Sequence, residues 1–144
     1  MITGFDHTSF TVADLDRAVA FWTEAMGFRV DSIGPREHPA FAAITGVPGA
    51  RLRVAHLLGH GHHMEFIEYV APPGRTQPAQ PNDATCGHVC LTTDDIEGDL
   101  ARMMAAGATL QGTVTTVTSG PYKGAKALYV RDPNGVLIEL DQPA

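Results

Sequence analysis

The stretch His7-Thr-Ser-Phe-Thr-Val-Ala-Asp14-Leu15-Asp16 returns as His88-Val-Cys-Leu-Thr-Thr-Asp-Asp95-Ile96-Glu97, displaced by 81 positions. In each copy a histidine opens a short apolar stretch and an acidic–apolar–acidic triplet closes it; Val19 and Leu100 keep the same offset. Further on, Met64-Glu65-Phe66-Ile67-Glu68 matches Ile138-Glu139-Leu140-Asp141 at an offset of 74, so the second copy has shed a few loop residues between its anchors. A repeat of this length means one supersecondary unit used twice. Each copy carries one histidine early and one glutamate late.

The elements read the same way in both halves. Residues 5–12 alternate as a strand that ends at Asp14, a carboxylate placed to cap a helix whose apolar positions Leu15, Ala18, Val19, Phe21, Trp22, Ala25 and Met26 recur at helical spacing. Gly27 stops that helix. Strands are expected over 28–33, 52–58 and 63–70, with turns at the Gly- and Pro-containing segment 46–50 and at 59–63. The second half repeats the pattern: strand 87–92, a helix from about 95 to 106 stopped by Gly107, then strands near 109–117, 125–131 and 136–141, with Asp132-Pro-Asn-Gly135 as a tight turn. The order is βαβββ twice, an α+β fold. Residues 72–85 are rich in Pro and polar residues without periodicity and read as a linker between module 1 (about 1–71) and module 2 (about 86–144).

Strand alternation places the repeated residues. His7 falls opposite Phe10 and Val12, Glu65 opposite Met64 and Phe66, His88 opposite Val89 and Leu91, and Glu139 opposite Ile138 and Leu140. All four are therefore expected on the sheet face that the helices leave bare. Two imidazoles and two carboxylates on one face make an N2O2 donor set for one divalent first-row ion, Zn, Ni, Co, Mn or Fe, and not for calcium, which takes oxygen alone.

Composition narrows the partners. Asp and Glu outnumber Lys and Arg 16 to 10, for a net charge of -6, which argues against nucleic acid, whose binding rests on clustered basic side chains. Cys86 and Cys90 lie on one expected strand, too poorly disposed to bridge each other, and a reducing cytoplasm is the expectation. No apolar run approaches the roughly 20 residues of a membrane span, and no basic segment followed by an apolar one opens the chain.

The elements HTSFTVADLDRAVAFW, MEFIEY, GHVCLTTDDIE and YVRDPNGVLIEL resemble the vicinal oxygen chelate superfamily, the glyoxalase/bleomycin-resistance/dioxygenase group, over nearly the whole chain. The resemblance implies a single domain of paired βαβββ modules, an open cup-shaped mixed sheet with helices outside, around one metal. It also implies a homodimer and carries the ligands onto His7, Glu65, His88 and Glu139. Glyoxalase I and the sugar or acyl-CoA epimerases of that superfamily further imply that Glu65 and Glu139 flank a small substrate and move a proton next to its carbonyl. A keto-sugar, cyclitol or acyl-thioester epimerase is the leading reading and a glyoxalase I-like lyase the next. Methylmalonyl-CoA epimerases carry Gln where this chain has Glu65, a departure that points away from that substrate. A protein that sequesters an antibiotic is a third reading, and an Fe(II) dioxygenase, which uses two histidines and one carboxylate, ranks below it.

Other residues are weighed against plainer roles. Arg53 is a candidate anchor for an anionic substrate, equally suited to a solvated strand; Tyr122 and Lys123 lie in a Gly-rich loop that can act as a lid, and Tyr129 alternates onto the bare face. Of His60, His62 and His63, only His63 shares a face with Glu65; the cluster reads first as a solvated turn.

Overall fold

A computed structural model describes residues 1–144 and divides them into two compact units, Met1–Thr76 and Gln77–Ala144. The first unit runs β1 (Thr8–Thr11), α1 (Leu15–Glu24), β2 (Arg29–Arg36), α2 (Ala40–Thr45), β3 (Arg51–Gly59) and β4 (His62–Ala71). The second runs β5 (His88–Thr92), α3 (Ile96–Ala105), β6 (Thr109–Leu110), β7 (Thr115–Thr116), β8 (Lys126–Arg131) and β9 (Leu137–Gln142). Each has its own open mixed sheet, ordered β1-β4-β3-β2 in the first and β5-β9-β8-β6 in the second, with β7 also on β8. In both, the opening strand pairs in parallel with the last one, because the helix carries the chain back and the paired strands after it run antiparallel to their neighbours.

The repeated acidic triplets explain how each helix starts. Asp14 Oδ1 accepts the Arg17 backbone N–H at 2.9 Å, and Asp95 Oδ1 accepts that of Gly98 at 3.0 Å, so both carboxylates satisfy an otherwise orphan donor of the first turn. The last acidic residue of each triplet then ties helix to sheet. Asp16 receives Arg53 of β3 at 2.7 Å, and Glu97 receives Lys126 of β8 at 2.7 Å.

Apolar alternation puts the cores beneath the helices. Trp22, fully buried, packs on Phe66 and Phe28 with ring centroids 5.2 and 5.3 Å apart; Leu57 and Met64 of the same sheet are buried too. At the equivalent place in α3 stands Met103, buried with Leu128, Val130, Ile138 and Leu140. Burying such side chains removes roughly 1.5–3 kcal/mol each of unfavourable hydration.

Three features depart from the reading of the sequence. A helix, α2, occupies part of the expected loop between β2 and β3. At six residues it shows no periodicity, yet Phe41 and Ala42 pack on the buried cluster of Ala50, Leu52 and Val54, as Ile67 and Tyr69 also do. It thus covers part of the sheet face opposite α1. The strand expected over 109–117 is instead two two-residue pieces, because the Gln111 and Gly112 N–H groups both bond to the Tyr129 carbonyl, at 3.1 and 2.9 Å, and bend the chain there. Finally, much of the expected linker is attached to the second unit. Buried Arg131 donates to the Ala79 carbonyl at 2.7 Å and to the Gly135 carbonyl at 2.7 Å. The Asp132–Gly135 turn is closed by Asp132 Oδ1, which accepts the Asn134 and Val136 N–H groups, each at 2.8 Å. Gly135 there has φ 89°, a left-handed conformation suited to glycine.

Candidate metal centre

In the first unit, strand register assembles the site around Glu65. Cα pairing sets Glu65 on β4 between Ser9 on β1 and His56 on β3, all pointing away from α1. His7, one residue before β1, brings its Nε2 to 3.3 Å from Glu65 Oε1, and His56 brings its Nε2 to 3.5 Å from Glu65 Oε2. His63, two residues before Glu65 on the same face, places Nε2 at 3.0 Å from His56 Nδ1. One of these two nitrogens carries the proton that the other accepts.

Asp6 fixes the orientation of His7. Its Oδ2 lies 2.6 Å from His7 Nδ1, and this hydrogen bond raises the imidazole's pKa above the ordinary value, with burial opposing and Glu65 adding to the rise. Held at Nδ1 by a carboxylate, the ring presents Nε2 to Glu65, the arrangement by which metal-binding histidines are usually aimed. His56 is shifted the other way: burial lowers its pKa, with Glu65 opposing and His63 adding to the fall.

The second unit contains a simpler counterpart. Glu139 on β9 lies between Cys90 on β5 and Tyr129 on β8, and His88 Nε2 is 3.0 Å from Glu139 Oε2. The Tyr129 ring packs on His88 with centroids 5.0 Å apart. Desolvation first, then the Glu139 carboxylate, pushes the Cys90 thiol and the Tyr129 phenol up, so both stay neutral near pH 7.

The donor spacing suits a metal. Two atoms each about 2.1 Å from one ion stand about 3.0 Å apart at a right angle and about 3.4 Å apart at the tetrahedral angle. The His7–Glu65 and His88–Glu139 distances, 3.3 and 3.0 Å, fall at those values. Held at Nδ1 by Asp6, a neutral His7 ring aims the Nε2 lone pair at the Glu65 carboxylate, a pair of donors that a cation can bridge.

The remaining candidates separate. Tyr129 is brought onto the His88–Glu139 pair. Arg53 is not brought to Glu65: it lies on the α1 face, where Asp16 and Glu68 hold its guanidinium at 2.7 and 3.0 Å, so the strand face and two carboxylates take it away from the role of substrate anchor. Tyr122 and Lys123 are exposed in the turn before β8, closed by the Ala125 N–H bonding to the Tyr122 carbonyl at 3.0 Å. His60 has a packing role, donating from Nε2 to the Met26 carbonyl at 2.8 Å and lying against Phe28. Matching the two halves of the sequence does not single out His56 and Asp6. The alternation Leu52, Val54, His56, Leu58 is the signal for the first, and adjacency to His7 for the second.

With this geometry in place, comparison with known proteins settles the family. The chain belongs to the Glyoxalase/Bleomycin resistance protein/Dioxygenase superfamily, whose model matches residues 4–140. It is 29% identical over 148 residues to a 2-epi-5-epi-valiolone epimerase from Actinomyces sp, covering 93% of this chain and 76% of that protein. It is 26% identical over 145 residues to an ethylmalonyl-CoA/methylmalonyl-CoA epimerase from Cereibacter sphaeroides, covering 99% of each. A probable lactoylglutathione lyase from Vibrio parahaemolyticus matches at 29% over 140 residues, 94% of this chain and 88% of the other. Among solved structures, a glyoxalase family protein from Bacillus cereus superposes with TM-score 0.85 at 24% identity, covering 99% of this chain and 95% of its own. The fosfomycin resistance protein FosX from Listeria monocytogenes, complexed with Mn(II) and sulfate, superposes with TM-score 0.64 at 17% identity over 100% and 95%. These matches support the α+β fold and a metal-dependent enzyme of the epimerase/isomerase or lyase type. No helix is long and apolar enough to cross a membrane.

Proposed function

We propose that this chain is a divalent-metal-dependent epimerase acting on a small substrate that chelates through neighbouring oxygens, a cyclitol or keto-sugar first and an acyl thioester second. His7 and Glu65 supply one half of the metal centre, and His88 and Glu139 the other. The observation that carries this reading is that each unit sets a glutamate oxygen at ligand spacing from an imidazole, at matching places in its sheet. The valiolone epimerase among the relatives favours a cyclitol. Glu65, where methylmalonyl-CoA epimerases of the family pattern have Gln, weighs against the thioester.

When bound, the cation polarises the substrate's carbonyl and makes the adjacent C–H acidic. The chain's own groups do the rest. One of Glu65 and Glu139 takes the proton from one face of the carbon and the other returns a proton to the opposite face, which inverts the centre. Tyr129, neutral and packed on His88, contacts the substrate, and the turn holding Tyr122 and Lys123 closes over it. One domain spanning residues 1–144, working as a cytoplasmic homodimer, completes the proposal. A glyoxalase I-like lyase is the second reading, favoured by the lactoylglutathione lyase match.

Deuterium incorporation next to the carbonyl, followed by mass spectrometry over cyclitol ketones, keto-sugars, acyl-CoA thioesters and hemithioacetals, tests this. Exchange with inversion on a cyclitol or keto-sugar supports the epimerase, and turnover of hemithioacetals alone moves the assignment to the lyase. No exchange with any of them, together with tight binding of an unrelated aromatic ligand, would replace both with a sequestering protein.

A further inference from the structure

The first unit holds more metal-binding side chains than the His7–Glu65 pair uses. One ligand atom each of Asp6, His7 and His63 lie within 4.8 Å of one another, a set of two imidazoles and one carboxylate. His56 stands behind His63, nitrogen to nitrogen at 3.0 Å, and its ring centroid is 5.0 Å from that of His63. His63 is also close to His7, with centroids 5.6 Å apart. The second unit has nothing comparable beside His88, where the position before it is Gly87 and the ring packed on it is Tyr129.

We propose that Asp6, His7 and His63 form a metal site of their own in the first unit, able to hold a borderline first-row ion such as Co(II) or Zn(II) without His88 or Glu139. Two imidazoles and a carboxylate suit such ions and leave coordination positions for water. His7 belongs to both sets, facing Asp6 with Nδ1 and Glu65 with Nε2, so the two seats share this one residue. The site stands whether or not the four-ligand centre does, since it draws on no residue of the second unit.

The test is Co(II) binding to tag-free apoprotein, read by calorimetry and by the visible absorption of the bound ion. The double variant His88→Ala/Glu139→Ala should still bind one Co(II) per chain. In that background His63→Ala, and separately Asp6→Asn, should each weaken binding about tenfold or more, the scale on which loss of even a ligand's supporting partner is felt. Asp6 is exposed, so its replacement leaves packing intact and guards against loss of binding through misfolding. Loss of all Co(II) binding in the double variant would overturn the inference while leaving the four-ligand centre standing. Binding that persists unchanged after both His63 and Asp6 are replaced would overturn it equally.

Discussion

The two units set their glutamates at the same place in the same topology and surround them differently. Glu65 is flanked across the sheet by Ser9 and His56, Glu139 by Cys90 and Tyr129. His7 is braced by Asp6, whereas His88 follows Gly87 and lies against a phenol. A duplicated scaffold thus keeps the pair that can bind metal and lets the neighbours diverge. On the first unit's site face α2 and its apolar contacts cover one stretch and imidazoles line the next; the second unit leaves a neutral thiol and phenol. The likeness lies in the donors, and the difference in what would touch a substrate.

Removing one carboxylate at a time should separate the two units most. Glu65→Gln and Glu139→Gln should each lower epimerisation by about 10²–10⁴ while metal content is largely kept. If the two serve opposite faces, each variant should still exchange deuterium into one epimer, and a different one in each case. Both epimers exchanging in one variant, measured by mass spectrometry, would show that a single glutamate does all the proton transfer.

Next in size are the cores. Trp22→Ala should cost about 3–5 kcal/mol of stability and Met103→Ala, at the same helix position in the second unit, about 2–5 kcal/mol, since the larger side chain leaves the larger cavity. Urea unfolding gives both values, and a costlier Met103 variant would reverse the ranking of the two cores. Removing metal should follow: because the ligands exist as a set only in the folded protein, an ion at 100 times its dissociation constant adds about 2.7 kcal/mol, and a chelator should lower Tm accordingly. An unchanged melting curve after verified metal removal would separate the donors from any structural role.

The smallest effect is in acid. Arg53 holds Asp16, and Lys126 holds Glu97, each below the ordinary carboxylate range. A carboxyl lowered in the folded state contributes stability above its unfolded pKa and loses it as pH falls through the folded one. Asp16→Asn and Glu97→Gln should therefore each flatten slightly the fall of stability below about pH 4. Both carboxylates are exposed, so the change in slope is small and comparable in the two units.

Much of this was legible because it is repeated. The histidines, the late glutamates and the capping aspartates occur twice, and their faces follow from alternation. What the sequence concealed is what the repeat does not share. His56 has tyrosine for its counterpart across the sheet and Asp6 has glycine, so matching the halves passes over both. Helix α2 is too short for a period. Arg53 reads as free until the register turns it toward Asp16, and the tie of Ala79 to the second unit depends on Arg131, 52 residues further on.

The proposed metal centre joins the two His–Glu pairs on one ion. Crystals of the tag-free protein, with anomalous diffraction recorded at the edge of the metal it carries, test this most directly. One anomalous peak is expected, with His7, Glu65, His88 and Glu139 atoms all within about 2.0–2.3 Å. A peak bound by one pair alone would contradict it.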